Sequence, residues 1–367
     1  MTRKTKILIT TGIYPPSIGG PASYSKLLME KLGDRGFETS VVTFDSVRKF
    51  PKLISHIIFF FIVIIRGLKV DIIYAQDPVS VGFPAFLASK IIFKKFILKV
   101  VGDFAWEQGV SRFNVKDSLD DFVKNKQKNL YVRILQKIEL FVAKGADRII
   151  VPSRYLSNIV ASWGIRSSKI TVIYNAFNKP KINFKEKYND EFFDIITVGR
   201  LVPWKGFDLL IEITKDIIID FPNTRLYIAG SGKDEDKLKK LSEGFEKNIF
   251  LLGGLPQEVL HEKIKQSDLF VLNTSYEGFS HQLLEVMALE VPIITTNVGG
   301  NVELIVNNQN GVLVEVNNRN DIKSAIIDLM KNAEKRKTLV QNAKKTIENF
   351  SEDRMLGELS KVLENTK

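Results

Sequence analysis

Short apolar runs alternate with longer amphipathic stretches along the chain, and this alternation predicts strands and helices in a repeated order. Most of the runs are rich in Ile and Val, as parallel strands covered by helices are. In the first half they are residues 7–11, 36–44, 71–75, 96–101, 147–151 and 170–174. In the second half they are residues 193–198, 224–229, 249–254, 269–272 and 292–296. The pattern predicts an α/β fold with two Rossmann-like domains and parallel sheets, which face each other across a cleft.

The length and composition fit this prediction. A chain of 367 residues with 44% hydrophobic content can form two domains, each with its own core. The last predicted strand of the first half leads into residues 175–180, and from there to residue 189 the chain is charged and irregular, which places the domain boundary between residues 178 and 179. The chain has no cysteine, which excludes disulfides, zinc–thiolate sites and thiol nucleophiles. The first apolar run is too short for a signal-peptide core, so we expect a cytoplasmic protein, with the inner face of the cell membrane as an alternative location.

The charge is unevenly distributed. Residues 1–180 carry 28 Lys and Arg against 13 Asp and Glu, a net charge of +15. Residues 181–367 carry 25 against 29, a net charge of −4, and the two halves sum to the overall +11. The basic half favours a polyanionic partner such as an anionic membrane, a nucleic acid or a phosphorylated substrate. Solvated surface lysines are an equally weighted interpretation.

Residues 52–69 form the most apolar predicted helix. The uninterrupted apolar run 57–65 is too short to span a membrane, which needs about 20 apolar residues. The flanking cations Lys52, Arg66 and Lys69 suit a helix packed on a sheet or one that lies in a bilayer surface. Because a strand follows at once, the sheet-packed helix is the favoured interpretation.

Two turns in the first half carry candidate binding or catalytic residues. Gly19-Gly20 separates the first strand from a predicted helix, and it fits either a phosphate site or an ordinary glycine turn. Asp103 follows the strand 96–101, at an edge where α/β sheets bind ligands, and is a candidate general base. Glu107 is a weaker candidate. The alternative is that Asp103 caps the next element.

The second half carries the stronger chemical signals. Arg200 and Lys205 lie on either side of a turn before a predicted helix, an arrangement that favours a diphosphate site. Few acids lie nearby in the sequence, so binding is favoured over structural ion pairs. Glu277 precedes the helix 280–289, and Glu285 lies within that helix among apolar residues. A carboxylate in such surroundings costs free energy unless something hydrogen-bonds it.

These motifs resemble those of the retaining glycosyltransferases of family 4, which have the GT-B fold. Gly199-Arg200-Leu201 with Lys205-Gly206 resembles the donor-phosphate signature of that family. The stretch from Glu277 to Ala288 resembles its E-x7-E motif, and the likeness continues in register to Asn310-Gly311. Gly19-Gly20 resembles the glycine loop of the acceptor domain. Residues 351–367 resemble the final helix, which in this fold packs back on the first domain.

The resemblance implies an enzyme that moves a sugar from a nucleoside-diphosphate sugar to a glycan or lipid-linked acceptor of the cell envelope, with retention of configuration and without cofactor or metal. Arg200 and Lys205 would hold the diphosphate, Glu285 would accept hydrogen bonds from the ribose, and Glu277 would contact the transferred sugar. Same-face attack is favoured over a covalent intermediate on Glu277. The remaining donor contacts fall on Gly19, Gly20, Gly230, Gly278, Phe279 and Ser280.

One departure from the family concerns the acceptor side. Many relatives carry a His where this chain has Gly102, which shifts that role towards Asp103. His281 is also unusual, and it would either touch phosphate or cap the helix. An epimerase of the same fold is the nearest alternative function. A non-enzymatic basic module that binds a membrane surface or a nucleic acid is the alternative of a different class, and it leaves Glu277 and Glu285 unexplained.

Overall fold

The computed structural model describes residues 3–17, 19–177 and 191–366. The chain divides into two compact units: Met1–Tyr174 with Asp353–Lys367, and Asn175–Glu352. The predicted boundary between residues 178 and 179 lies outside the described residues.

The first unit contains one parallel sheet of six strands in the order β2-β1-β3-β4-β5-β6. Its strands are β1 (Thr5–Thr11), β2 (Phe37–Thr43), β3 (Ile72–Ala75), β4 (Lys95–Lys99), β5 (Arg148–Val151) and β6 (Ile170–Val172). Its helices are α1 (Gly20–Lys31), α2 (Lys52–Gly67), α3 (Gly82–Ile91), α4 (Phe104–Phe113), α5 (Leu119–Phe122), α6 (Leu130–Gly145) and α7 (Arg154–Ser162).

The second unit contains a second parallel sheet, in the order β12-β11-β10-β7-β8-β9. Its strands are β7 (Phe193–Val198), β8 (Thr224–Ala229), β9 (Ile249–Gly253), β10 (Leu269–Leu272), β11 (Ile293–Thr296) and β12 (Val312–Val314). Its helices are α8 (Phe207–Asp220), α9 (Glu235–Leu241), α10 (Gln257–Lys265), α11 (His281–Ala288), α12 (Arg319–Lys331) and α13 (Ala333–Ile347). The last helix, α14 (Glu352–Glu364), belongs to the first unit from Asp353 onward.

The periodicity of the sequence explains how the helices cover the sheets. In α8 the buried side chains include Phe207, Leu210, Ile211, Thr214 and Ile217, which recur every three or four residues and so share one face. That face packs into the core of the second unit together with buried strand residues such as Ile195 and Leu226. The predicted α/β class with two Rossmann-like halves is confirmed.

Three local predictions need correction. The strand predicted at residues 96–101 ends at Lys99, and Asp103 begins a helix, α4, that was not predicted. The polar stretch 114–129 was expected to be a mobile loop or an exposed helix, but it contains the short helix α5, whose Leu119 and Phe122 are buried. The short strand β12 was also missed.

Candidate functional site

The strand order of the second sheet locates a ligand site. Read from β9 to β12, the order places β7 beside β10, and the chain winds outward from this pair in both directions. In open α/β sheets the loops that follow the two strands at such a reversal diverge and leave a crevice for ligands. Arg200 and Lys205 follow β7, and Glu277 follows β10. The sheet therefore brings both sequence-predicted motifs to one crevice.

Direct hydrogen bonds hold the two loops together. The Asn273 side-chain amide donates to the Gly206 carbonyl oxygen at 3.1 Å. The Thr274 hydroxyl donates to the Trp204 carbonyl oxygen at 3.1 Å, and the Ser275 backbone N–H donates to the same oxygen at 2.8 Å. Asn273 and Thr274 are buried, so these bonds are shielded from water. The loop after β7 is therefore fixed against the loop after β10.

Lys205 and Glu277 form an ion pair across these loops. The Lys205 ammonium Nζ lies 2.5 Å from Glu277 Oε2, and the two side chains are only 10% and 16% exposed. Because few acids lie near the cations in the sequence, structural ion pairs were disfavoured. That inference is wrong for Lys205, which pairs with Glu277, 72 residues further along the chain. Arg200, on the same loop, is exposed, and its guanidinium lies 5.6 Å from the centre of the Trp204 ring.

Two glycines allow the neighbouring loops to approach this pair. A Cβ at Gly230, after β8, would lie 1.9 Å from the Gly199 carbonyl oxygen. A Cβ at Gly300, after β11, would lie 2.3 Å from the Gly278 carbonyl oxygen, and the Gly300 N–H donates to the Glu277 carbonyl oxygen at 2.8 Å. Only glycine fits such close backbone contacts. The loops after four adjacent strands, β8, β7, β10 and β11, thus form one continuous surface.

Glu285 lies on α11 without a polar partner in the part of the chain that the structure describes. No hydrogen bond or ion pair joins its carboxylate to another described residue, and burial raises its pKa to about 7. Its neighbours Leu284 and Val286 are fully buried, although Glu285 itself keeps partial exposure. An acid that is buried in this way, on a helix at the crevice, has unused hydrogen-bonding capacity for a ligand.

The first turn of α11 completes the surface. The Ser280 hydroxyl accepts a hydrogen bond from the Leu283 N–H at 3.3 Å and caps the helix. His281 is the first helical residue, so the suggestion that it caps α11 is wrong. Gly278 and Phe279 lead into this cap, and Phe279 is buried. Among the described residues, no group of three or more His, Asp or Glu side chains is placed to hold a metal ion.

Comparison with known proteins assigns the family. The model of the group 1 glycosyl transferases matches residues 178–346, and that of glycosyltransferase family 4 matches residues 18–179. An uncharacterized glycosyltransferase of Methanocaldococcus jannaschii is 30% identical over 381 residues, which cover 98% of both chains. The chain belongs to the family 4, or group 1, glycosyltransferases.

The chain is also similar to a glycosyltransferase of capsular polysaccharide biosynthesis and to a glycosyltransferase-like solved structure. The capsular polysaccharide biosynthesis glycosyltransferase CapM of Staphylococcus aureus is 28% identical over 293 residues, or 74% of each chain. The crystal structure of Anabaena HepE in complex with UDP-glucose matches with a TM-score of 0.75 at 17% identity, and covers 98% of this chain and 99% of that one. The predicted GT-B architecture is confirmed by this likeness of fold.

The first unit of the glycosyltransferase has its own strand reversal, between β1 and β3. Gly19 and Gly20 follow β1 at this position. Gly19 precedes α1 with φ +151, and its carbonyl oxygen accepts hydrogen bonds from the Ala22 and Ser23 N–H groups. The two glycines therefore begin a helix at a favoured ligand position, and their contact with a donor stays a prediction.

Asp103 is placed as a helix cap. Its Oδ1 accepts a hydrogen bond from the Trp106 N–H at 2.7 Å, and the residue is 2% exposed. Burial raises its pKa to about 7. The cap that the sequence suggested as an alternative is therefore present, and a role of Asp103 towards the acceptor stays a prediction.

A second buried carboxyl group, Glu139, was missed by the sequence analysis. It accepts hydrogen bonds from the Phe104 N–H at 2.7 Å and the Ala105 N–H at 3.2 Å, and it is hydrogen-bonded to Asp103. Burial raises its pKa well above the usual range, and the neighbouring Asp103 raises it further. Two carboxyl groups share a hydrogen bond only when one holds a proton. The signal that could have found Glu139 is the same as for Glu285: an acid between two apolar residues of a helix.

Proposed function

We propose that the protein transfers a sugar from a nucleoside-diphosphate sugar to a glycan or lipid-linked acceptor, with retention of anomeric configuration. The Lys205–Glu277 pair carries this proposal. It places a cation and a carboxylate side by side at the crevice where α/β sheets bind ligands. A diphosphate leaving group needs the cation, and an anomeric centre that gains positive charge needs the carboxylate.

The two cations support metal-independent departure of the nucleoside diphosphate. Breaking the glycosidic bond leaves negative charge on the phosphate oxygens, and Lys205 and Arg200 would counter it where a divalent ion does so in other transferases. Arg200 is exposed on its loop and so accessible to a ligand. The N–H groups at the start of α11, from Gly278 to Ser280, would add further donors.

Donor recognition would extend to the ribose through Glu285. Its carboxylate has no hydrogen-bond partner among the described residues, whereas two ribose hydroxyls supply the donors that it lacks. Because the HepE structure holds UDP-glucose, uridine nucleotides are the donors to test first. The similarity to CapM, a capsular polysaccharide biosynthesis glycosyltransferase, supports an acceptor in cell-envelope polysaccharide synthesis.

Retention would follow from attack on the face that the diphosphate leaves. In that route the bond from the anomeric carbon to the phosphate oxygen breaks as the acceptor oxygen bonds to the same carbon. The acceptor proton passes to the departing phosphate oxygen, and Glu277 stabilises the positive charge on the sugar. Asp103 and Glu139 would act on the acceptor side as positioning residues, because they hold the start of α4.

A thermal-shift screen of nucleoside-diphosphate sugars tests the proposal, since a true donor stabilises the folded state by mass action. Calorimetry with Arg200→Ala should then show a loss of about 1–3 kcal/mol in donor binding. Unchanged affinity would remove Arg200 from the phosphate site. No stabilisation by any nucleotide sugar, together with binding to nucleic acid, would support the non-enzymatic alternative. Interconversion of the free donor with its epimer would support the epimerase.

A further inference from the structure

Helix α2 carries a continuous apolar stripe on its outer side. Leu53, Ile57, Phe61, Ile65 and Leu68 recur at intervals of three or four residues, and each is between 49% and 74% exposed. The opposite side of the helix packs on the unit, where Ser55, Phe59, Val63 and Gly67 are buried. The helix therefore satisfies both interpretations of its sequence: one face belongs to the β-α-β core, and the other is an uncovered apolar surface.

Further exposed apolar side chains lie close to the C-terminal end of α2. Gly67 lies against Ile92, because a Cβ at Gly67 would approach Ile92 Cδ1 to 2.5 Å, so the end of α2 contacts the chain just after α3. Beside this contact Ile91 is 58% exposed and Phe93 is 95% exposed. Phe93 also has a left-handed backbone (φ +55), which a bulky residue rarely adopts. We call the α2 stripe together with Ile91 and Phe93 the outer apolar surface.

The charge around this surface is mostly positive, and Asp45, just before it, pairs with Arg48 at 3.1 Å. Residues 46–70 contain no Asp or Glu, and they contain the exposed cations Arg48, Lys49, Lys52, Arg66 and Lys69. Lys90 and Lys94 flank the exposed end of α3. An apolar stripe bordered by cations matches the interface of an anionic bilayer, where apolar side chains enter the acyl boundary and cations meet lipid phosphates.

We propose that the outer apolar surface docks on an anionic lipid bilayer, with α2 lying in the plane of the interface. The 16 residues of α2 span about 24 Å, too short for a transmembrane segment. Within the described part of the chain, no helix combines the length and apolarity needed to cross a bilayer. A second copy of the chain is a poor occupant, because a symmetric contact would bring the same cations face to face.

Vesicle sedimentation without any sugar donor tests the docking independently of the transferase function. The wild-type protein should sediment with phosphatidylcholine vesicles that contain phosphatidylglycerol, less with phosphatidylcholine alone, and less at high salt. Ile57→Asp and Phe61→Asp should each lower the partition coefficient at least about tenfold, because each loses a buried apolar side chain in the bound state. Ile219→Asp, at a 77% exposed position on α8, is the matched control and should bind like the wild type.

A charge variant provides a second test of the docking. Replacing Lys52, Arg66 and Lys69 by Gln should abolish the preference for anionic vesicles, whereas replacing Lys240, Lys247 and Lys345 by Gln should leave it intact. Thermal unfolding and donor calorimetry confirm that each variant is folded. The proposal is overturned if the wild type stays in the supernatant with anionic vesicles, or if the two Asp variants bind as tightly as the wild type. It is also overturned if light scattering shows a wild-type dimer that Phe61→Asp converts to monomer without any lipid binding.

Discussion

Lys205 Nζ lies 2.5 Å from Glu277 Oε2, and this pair joins the two loops that leave the central strands of the second sheet. We propose that the cation holds the diphosphate and that the acid contacts the transferred sugar. In the structure Lys205 and Glu277 pair with each other, so each charge is balanced by the other and both side chains are held in place. In this proposal, a donor that binds here replaces part of the Lys205–Glu277 contact with contacts to its own phosphate and sugar hydroxyls.

Breaking the pair should cost both stability and donor affinity. Lys205→Met leaves Glu277 without its cation in a site that is mostly shielded from water. Removing one partner of a fully buried pair costs about 3–5 kcal/mol, and we expect somewhat less here because some exposure remains. Urea denaturation measures the free energy of unfolding, and calorimetry with the donor measures the affinity.

A second ion pair in the same unit is the matched control. Arg225 Nε lies 2.6 Å from Asp194 Oδ1, near the starts of β8 and β7, at the sheet edge opposite the crevice. Arg225→Met should lower the free energy of unfolding and leave donor affinity unchanged. If Lys205→Met behaves in the same way, Lys205 has only a structural role.

Donor binding should release a proton from Glu285. The pKa of this residue is raised to about 7, so at pH 6 the free protein holds it mostly neutral. Hydrogen bonds from ribose hydroxyls favour the ionised form and lower the pKa. Calorimetry of a UDP-sugar in buffers of different ionisation enthalpy should show release of up to about one proton at pH 6.

Glu285→Gln is the control for this measurement. It should abolish the proton release and weaken donor binding by about 1–3 kcal/mol, while the fold is kept. Equal proton release in the wild type and in Glu285→Gln would show that the proton comes from another group, and Glu285 would lose its assignment to the ribose.

The Asp103–Glu139 pair should make stability depend on pH. Burial raises the pKa of Asp103 from 3.8 to about 7, so the folded state keeps a proton that the unfolded chain loses. The free energy of unfolding therefore falls as the pH rises from about 4 to about 7. Urea denaturation at several pH values, in the Glu285→Gln background, checks this. Glu139→Gln should reduce the dependence, because it removes one of the two carboxyl groups whose pKa is raised in the folded state.

Asp103→Asn separates capping from acceptor chemistry. Asn caps a helix as well as Asp does, so we expect a free energy of unfolding within about 1 kcal/mol of the wild type and a transfer rate that is kept. Asp103→Ala should lose about 0.5–2 kcal/mol of stability. A stable Asp103→Asn protein with little transfer activity would instead make Asp103 the acceptor-side base.

Gly230→Ala should damage the crevice through backbone crowding. Its Cβ would lie 1.9 Å from the Gly199 carbonyl oxygen at a φ of +144, so the loop that carries Arg200 must move. We expect a loss of stability of about 1–3 kcal/mol and weaker donor binding. At Gly254 the nearest atom is Ser231 Oγ at 4.0 Å, and Gly254→Ala should be close to neutral in both measurements. Similar values for the two variants would argue against this close packing.

Much of this architecture could be predicted from the sequence, because most strands are distinct apolar runs and most helices have a helical period of apolar residues. β7 and β10 begin and end at the predicted residues. The Lys205–Glu277 contact could not be predicted in the same way, since it depends on β10 lying beside β7. Local periodicity does not determine the order of strands in a sheet.

The buried acids also show which features can be predicted from the sequence and which cannot. Glu285 was recognised because an acid among apolar helix residues needs a partner. Glu139 has that same pattern, but its partners, the N–H groups of Phe104 and Ala105, belong to a helix that the sequence analysis did not detect. The exposure of the α2 stripe also could not be predicted from the sequence, because an apolar helix has the same composition whether one face or all of it is covered.

Nuclear magnetic resonance of the anomeric protons during turnover tests the central claim most directly. With UDP-sugars and a panel of soluble acceptors, the wild type should consume the donor and form a product with the donor's anomeric configuration. Glu277→Gln should slow this at least about 100-fold, because it removes charge stabilisation at the reacting carbon. An inverted product, a Glu277→Gln rate equal to that of the wild type, or no turnover of any nucleotide sugar would contradict the account.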